Sequence, residues 1–408
     1  MKNLVLIGGG HTHAITLRLF GLDPLSCVCL TLITDVLSAP YSGMLPGHIA
    51  GFYTFDECHI NLADLARFAQ ARLIVDEVIG LDLPKKQVLC KNHSPIAFDW
   101  LSINIGSKPD NTIILGGSEY VIPAKPVPQF LAYWNQFLDL LQSPQEVFFE
   151  RPFRLGIIGG GAGGVELALN IQAKLHQLLS ARGLSPSHIE IHLFHRQLNL
   201  LTGYPTFIGL RFRQLLIRRG INLHLGETAQ QITVFSHHDH DSNLFEKLIR
   251  CESGLTVICN LIFLVTNASA PSWLRESGLD TDNRGFILVD NTLQSVSHPG
   301  IFATGDIAEI VNYSRPKAGV FAVRQGKPLF ENLRLIASGK TPRPFYPQKF
   351  YLALIGTGKL QALAAWGKYC IGPSFLLWCW KNWIDRQFMN QFAKLLEKDR
   401  KICDHRVD

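Results

Sequence analysis

The stretch Leu155-Gly156-Ile157-Ile158-Gly159-Gly160-Gly161-Ala162-Gly163-Gly164 decides the fold. An apolar strand pattern runs straight into glycines, and Val165-Glu166-Leu167-Ala168 then opens a helical pattern. The spacing Gly159-x-Gly161-x-x-Gly164 supplies a tight turn, close backbone approach to a pyrophosphate, and close packing of helix on strand. It also aims helix amides at negative charge. The flanking strand and helix are the context that distinguishes a dinucleotide-binding fingerprint from a chance match. About 150 residues earlier the same order recurs as Leu4-Val5-Leu6-Ile7-Gly8-Gly9-Gly10-His11-Thr12-His13. His13 holds the third glycine position there, which allows a displaced helix with His11 or His13 facing phosphates, and equally a histidine packed at the helix start. Two such turns predict an α/β fold of two Rossmann-like domains binding two dinucleotides, with electrons passing between them.

Around the first turn, residues 14 to 20 read as a helix and Cys27 to Ile33 as a strand ending at Asp35. An acid at that point, about 25 residues after the glycines, suits a ribose hydroxyl. Asp99 to Ser107 reads as another buried strand closing on Gly106, where backbone can approach a cofactor. Pro-rich residues 123 to 128 and an amphipathic helix over 129 to 142 mark a domain boundary. The second turn is followed by a helix over about 165 to 182 and a strand, Ile189 to Phe194, ending in His195-Arg196. Gly300-Ile301-Phe302-Ala303-Thr304-Gly305-Asp306 then reads as a strand returning to the first domain, and 317 to 338 as a helix. The expected organisation is a discontinuous first domain (1–125 and 286–345), an inserted second domain (126–285), and a C-terminal aromatic amphipathic tail (346–408).

With 408 residues, 47% of them hydrophobic, the chain can bury two or three cores. A net charge of +6 is compatible with phosphates or an anionic membrane surface and falls short of a nucleic-acid signature. Met1-Lys2-Asn3 enters the first strand at once, leaving no room for a signal peptide, so a cytoplasmic location is expected. The nine cysteines include no Cys-x-x-Cys and read mostly as buried thiols, with Cys27-x-Cys29 structural inside its strand. His237-His238-Asp239-His240-Asp241 reads as a metal site or, more simply, as a polar hairpin tip, and no metal is expected. In the tail, Leu376, Trp380, Trp383, Phe388 and Phe392 fall near helical spacing beside Lys381, Arg386 and Lys394. That pattern fits a helix in a membrane interface, and alternatively one packed on its own domain or in a homodimer. Charges interrupt every stretch long enough to span a bilayer.

Together, the paired fingerprints, the Asp99 to Ser107 segment and Ala303-Thr304-Gly305-Asp306 resemble the two-dinucleotide-binding flavoproteins of the pyridine nucleotide-disulfide oxidoreductase superfamily. The resemblance implies FAD at Gly8 and Gly10, with Asp306 on the ribityl chain, and NAD(P)H at Gly159, Gly161 and Gly164. Members that reduce disulfides carry a redox cysteine pair. The loop Ser38-Ala39-Pro40-Tyr41-Ser42-Gly43-Met44-Leu45-Pro46 carries no cysteine, so a disulfide substrate is rejected.

Among branches without that pair, the chain is similar to type II NADH:quinone oxidoreductases through Gly164-Val165-Glu166-Leu167-Ala168, the segment Lys317 to Gly326, and Ala353-Leu354-Ile355-Gly356. This similarity implies catalytic roles for Glu166, near the flavin and a quinone, and for Lys317. A carboxylate favoured by the helix dipole is the alternative for Glu166. Arg324-Gln325-Gly326 departs from the paired glutamines of that branch and suits an acidic or smaller acceptor. Gly9-Gly10-His11-Thr12-His13, Pro40 to His48 and Trp380 to Met389 resemble the flavoprotein module fused ahead of selenide, water dikinase. This chain stops at Asp408 and reads as a free-standing electron-transfer half.

His195-Arg196 at the strand end favours NADPH, since a cation there accommodates a 2'-phosphate; an Arg merely solvated at the strand end is the alternative. The expected function is FAD-dependent NAD(P)H oxidation with a quinone or other small-molecule acceptor, on or near the cytoplasmic membrane face. The alternatives are a soluble reductase serving a selenium-related or protein acceptor, and a non-enzymatic flavin-binding sensor.

Overall fold

The computed structural model describes residues 1–109, 118–142, 151–236, 246–266 and 268–404. His237 to Asp241 lies outside the described residues. In chain order the strands used below are β1 (Lys2–Ile7), β2 (Val28–Thr34), β3 (Arg72–Val75), β4 (Trp100–Ile103), β5 (Ile122–Pro123), β6 (Phe153–Ile158), β7 (Ile189–His195), β8 (Asn222–Leu225), β9 (Leu261–Leu264), β10 (Ile301–Ala303), β11 (Leu352–Gly356), β12 (Ala362–Trp366) and β13 (Tyr369–Ser374). The helices are α1 (His11–Leu22), α2 (Leu62–Phe68), α3 (Val127–Gln142), α4 (Ala162–Ala181), α5 (Thr206–Arg218), α6 (Gly319–Ala337) and α7 (Phe375–Asp404).

Two five-stranded parallel sheets form, ordered β10-β4-β1-β2-β3 and β5-β9-β6-β7-β8. In each, the central strand is largely apolar because both of its faces are covered, in the second sheet by helices on one side and by the antiparallel strands of residues 229–259 on the other. Both glycine turns leave the C-terminal end of the central strand where the strand order reverses, the position at which open α/β sheets bind ligands. The return of β10 to the first sheet follows the expected reading: Ile301 pairs with Leu101 and Ala303 with Ile103. Gly326 lets α6 close on α1, since a Cβ there would lie 2.6 Å from Ile15, and Thr16 Oγ1 donates to its carbonyl at 3.2 Å.

The tail differs from the expected single amphipathic element. Residues 352–374 form an antiparallel sheet, β11-β12-β13, with Leu352 opposite Trp366 and Trp366 opposite Tyr369. The following helix divides its surface. Phe388, Met389, Phe392 and Leu395 bury into the core of the first domain, which corrects the reading of Phe388 and Phe392 as part of a membrane face. Leu376, Trp380 and Trp383 stay 78%, 44% and 60% exposed. No described helix is long and apolar enough to cross a membrane.

The cysteines also need a correction. Cys58, Cys90, Cys251 and Cys259 are buried, but Cys27 and Cys29 are exposed at the N-terminal end of β2, because Cys27 lies in the turn before the strand.

Candidate functional site

The first glycine turn is held by Asn104, which the sequence reading passed over between Ser102 and Gly106. Its backbone carbonyl accepts from Gly10 N at 3.2 Å, its side-chain oxygen accepts from His13 N at 3.3 Å, and its amide donates to the Thr304 carbonyl at 2.7 Å. One side chain therefore joins the turn to the returning segment. Gly8 has φ +88°, and a Cβ there would stand 2.5 Å from the Asn104 carbonyl oxygen, so no larger residue fits. His13 resolves in favour of packing. It is fully buried, its Nδ1 lies 2.7 Å from the Gly8 carbonyl, and its Nε2 lies 2.8 Å from Ser102 Oγ. Burial pushes its pKa down to about 4, so the ring is neutral. The imidazole occupies the place a third glycine leaves empty and anchors the turn from below.

His11 is partly accessible and sits 5.3 Å, edge-on, from the Tyr41 ring, with Nε2 3.2 Å from the Pro40 carbonyl; burial lowers its pKa. Asp35 follows β2 and is exposed beside the turn, where Gly8 N donates to the Ile33 carbonyl at 2.7 Å. Asp306 accepts from Lys125 Nζ at 2.9 Å and Ser107 Oγ at 3.2 Å. Burial pushes its carboxyl upward, yet Lys125 and Ser107 outweigh that and hold it below the usual carboxylate range. Gln325 is buried and accepts from Gly305 N at 2.6 Å, while Arg324 faces solvent. Lys317 lines the recess that Asp306 and Gln325 also line. Its ammonium donates to Glu309 at 2.8 Å and the Ala308 carbonyl at 2.6 Å, and lies 4.3 Å from the Phe286 ring centroid.

Both turns fit a dinucleotide on structural grounds. The N-termini of α1 and α4 are capped by Gly10 and Gly161, which offer no side-chain oxygen of their own to the first amides; Asn104 takes that of His13 in α1, and neither first turn holds an acid. A Cβ at Gly161 or at Gly106 would meet nothing within 4 Å, so the space over both is open. Gly164 does the opposite: its Cβ would lie 1.8 Å from the Gly159 carbonyl oxygen, the close approach that the fingerprint requires. Thr304 Oγ1 beside Asp306, and Thr266 Oγ1 just beyond β9, are buried with no partner among the described residues.

His195 and Arg196 separate. His195 Nδ1 accepts from Gly160 N at 3.2 Å, and burial lowers its pKa, so this ring locks the turn as a neutral acceptor. Arg196 is exposed at the end of β7 and carries the charge.

Glu166 lies on the second turn of α4, partly exposed, where that helix meets the tail. Its Oε1 accepts from Gly356 N at 2.8 Å. Burial raises its pKa to about 7 despite the opposing charge of Lys381. Lys381 corrects an expectation: it is buried, donating to Asp385 at 2.7 Å and to the Gly43 carbonyl, and is no lipid-facing cation. Tyr41, stacked on Phe388 at 4.4 Å, bonds to Asp385, and its phenol is raised by burial and by that carboxylate. Glu166, Lys381, Asp385 and Tyr41 thus gather groups from the second domain, the tail helix and the first domain. The sequence signal for the missed pair is Lys381 and Asp385 at i and i+4, two charges on one face of a helix otherwise rich in tryptophan.

Two parallel sheets, the strands of one lying in the chain between strands of the other, each with a glycine turn at its switch point, define the class of two-dinucleotide-binding flavoproteins. Residues 2–326 match the pyridine nucleotide-disulphide oxidoreductase family, and the chain belongs to that family. It is 27% identical over 303 residues to the alternative NAD(P)H-ubiquinone oxidoreductase C1 of Arabidopsis thaliana, covering 71% of this chain and 54% of that protein. It is 25% identical over 313 residues to the demethylphylloquinone reductase NdbB of Synechocystis, covering 74% and 70%. The chain thus spans just over half the length of the plant relative. Among solved structures, NDH2 of Plasmodium falciparum in complex with NADH superimposes with a TM-score of 0.76 at 15% identity, over 96% of this chain and 98% of that one, a likeness of fold.

The family's name includes disulfide chemistry, to which several of the described thiols are unsuited. Burial pushes Cys58 and Cys259 up to about 12 and Cys251 to about 11, holding them as unreactive thiols. Cys27 and Cys29 lie at the end of their sheet opposite the glycine turns.

Proposed function

We propose that this chain is an FAD-dependent NAD(P)H:quinone oxidoreductase. The observation that carries the reading is Glu166, a carboxyl half protonated near neutrality, set where the second domain, the tail helix and the first domain meet. Gly8, Gly10, Asp35, Gly106 and Asp306 hold the FAD, with His11 flanking its cleft; Gly159, Gly161 and Gly164 hold the nicotinamide dinucleotide. FAD held there would supply the redox chemistry, hydride uptake from the nicotinamide and electron delivery to the acceptor. Glu166 gives a proton to the acceptor oxygen, and Lys381, Asp385 and Tyr41 hold the surrounding charge balanced in a poorly hydrated cleft. Lys317, committed to Glu309, positions the recess beside Asp306 without moving a proton. The quinone-acting names of the plant and cyanobacterial relatives support this acceptor class.

Arg196, exposed at the end of β7 where the strand itself supplies no acid, supports a preference for NADPH. The exposed aromatic side chains of the tail support peripheral binding to a membrane, where such an acceptor is dissolved. Anaerobic mixing tests the core of the reading. NADPH or NADH bleaches the bound flavin within seconds, and a short-chain quinone then restores its colour. A flavin that stays oxidised on prolonged incubation with both nucleotides refutes it.

A further inference from the structure

The helix α5 of the second domain wears its sequence inside out on one side. Ile208, Gly209, Phe212 and Leu216 bury against the sheet, as an amphipathic helix should. Yet the opposite face exposes Phe207, Leu210 and Ile217 at 39%, 45% and 56%, at helical spacing along one stripe, flanked by exposed Arg211, Arg213 and Arg218. From Thr206 to Leu225 the chain contains no acid. Arg211 reaches from α5 to the Gly372 carbonyl of β13 at 3.4 Å, so this face is continuous with the edge of the tail sheet. There Tyr369 and Ile371 are exposed, Trp366 stacks on Tyr369, and Lys368 lies 5.8 Å from the Tyr369 ring centroid. Beyond Ser374 the surface passes into Leu376, Trp380 and Trp383 of α7.

We propose that α5 is a second membrane-docking element, on the nucleotide-binding domain, which lies on an anionic lipid surface together with the tail. The inference rests on the peripheral-membrane reading above and extends it from the tail to a different domain. Its chemistry is specific. Arginines without acids meet lipid phosphates, the apolar stripe between them enters the headgroup boundary, and the neighbouring tryptophans and tyrosine take the interfacial level that such rings prefer. An acidic protein surface would satisfy the arginines but would leave the exposed stripe and the aromatic edge needing a matched apolar partner. Lipid supplies both at once. Docking by two domains also fixes which face of the molecule looks at the membrane, a constraint that a single tail helix does not impose.

The test uses the full-length, flavin-loaded protein and co-sedimentation with vesicles of phosphatidylcholine alone or mixed with phosphatidylglycerol. The wild type binds the mixed vesicles, and binding weakens as salt rises. Arg211→Gln/Arg218→Gln lowers affinity for mixed vesicles by about thirtyfold, the effect of removing two arginines from an anionic surface. It leaves NAD(P)H-dependent flavin reduction in detergent-free solution unchanged. Leu210→Ser/Ile217→Ser weakens binding in the same direction and lowers its residue at high salt. Wild-type affinity in the arginine variant overturns the proposal, as does binding that ignores lipid charge. If Trp380→Ser/Trp383→Ser abolishes binding while both α5 variants bind normally, the tail reading stands and this one fails. If the wild type binds neither vesicle, both fail. Sedimentation velocity without lipid covers the remaining occupant: a dimer that the α5 variants split assigns the face to a second copy and overturns the lipid assignment.

Discussion

Replacing Glu166 by glutamine removes the charge while keeping an oxygen able to accept from Gly356 N, and its effect on stability has a sign and a size. In the folded chain the carboxyl has a pKa of about 7, against an ordinary 4.5. That difference of roughly 2.5 units is worth about 3 kcal/mol. Because Glu166 keeps part of its surface exposed, this is an upper bound. A raised acid means that the folded state holds its proton more tightly than the unfolded chain does. The associated stability is fully present below pH 4.5 and is lost progressively until the folded group itself ionises near pH 7. Glu166→Gln therefore gains on the wild type as pH rises, from near zero at pH 4.5 to at most about 3 kcal/mol at pH 8. Urea unfolding of both proteins at fixed saturating FAD, from pH 5 to pH 8, reads this difference directly, since every other titrating group is common to both. A gap that is the same at pH 5 and pH 8 refutes the reasoning. The same variant should slow acceptor reduction and lose the decline in rate that the wild type shows above pH 7.

Three further outcomes follow from the geometry. His13→Gly restores the fingerprint on paper but strips partners from the Gly8 carbonyl and Ser102, so it should destabilise the protein by about 3 kcal/mol and increase FAD loss on gel filtration. A variant as stable as the wild type would show the ring to be dispensable. Lys381→Met leaves the buried Asp385 without its counter-charge and should cost about 3–5 kcal/mol in chemical unfolding, whereas Lys381→Met/Asp385→Leu should recover most of it. Arg196→Asp should lower kcat/KM for NADPH by about tenfold to a hundredfold, the worth of a charged hydrogen bond, while NADH is affected far less. Equal losses with both nucleotides would place Arg196 away from the 2'-phosphate.

Local pattern carried most of the architecture. The two glycine turns, the inserted second domain's opening helix and the return at Ile301 are written in contiguous residues, where strand and helix periods are read directly. What failed to show was decided at a distance. Whether His13 faced a phosphate or a packed interior depended on Ser102, which only the pairing of β1 with β4 brings beneath it. The charge on Lys381 looked lipid-facing because a helical pattern tells which residues share a face and not what covers it. The tail sheet was missed because its strands, such as Ala362-Leu363-Ala364-Ala365-Trp366, are built from residues that favour helices and become strands through their neighbours. Asn104 gave no signal at all, since an isolated asparagine after a strand is as common in a solvated turn.

Asn104 also bears on the order in which the molecule can assemble. The second sheet is drawn from residues 122 to 264, and its strands can pair as soon as that run has left the ribosome. The first half cannot. Its Asn104 waits for Thr304, its edge strand for Ile301 to Ala303, and Thr12 for the Ala322 carbonyl 310 residues away. Such long loop closures are entropically costly and come late. During synthesis the second sheet should therefore stand paired beside an open first sheet, and a chain halted before residue 300 should keep the second sheet without the tail residues Ile355, Leu363 and Ala365 that close its core.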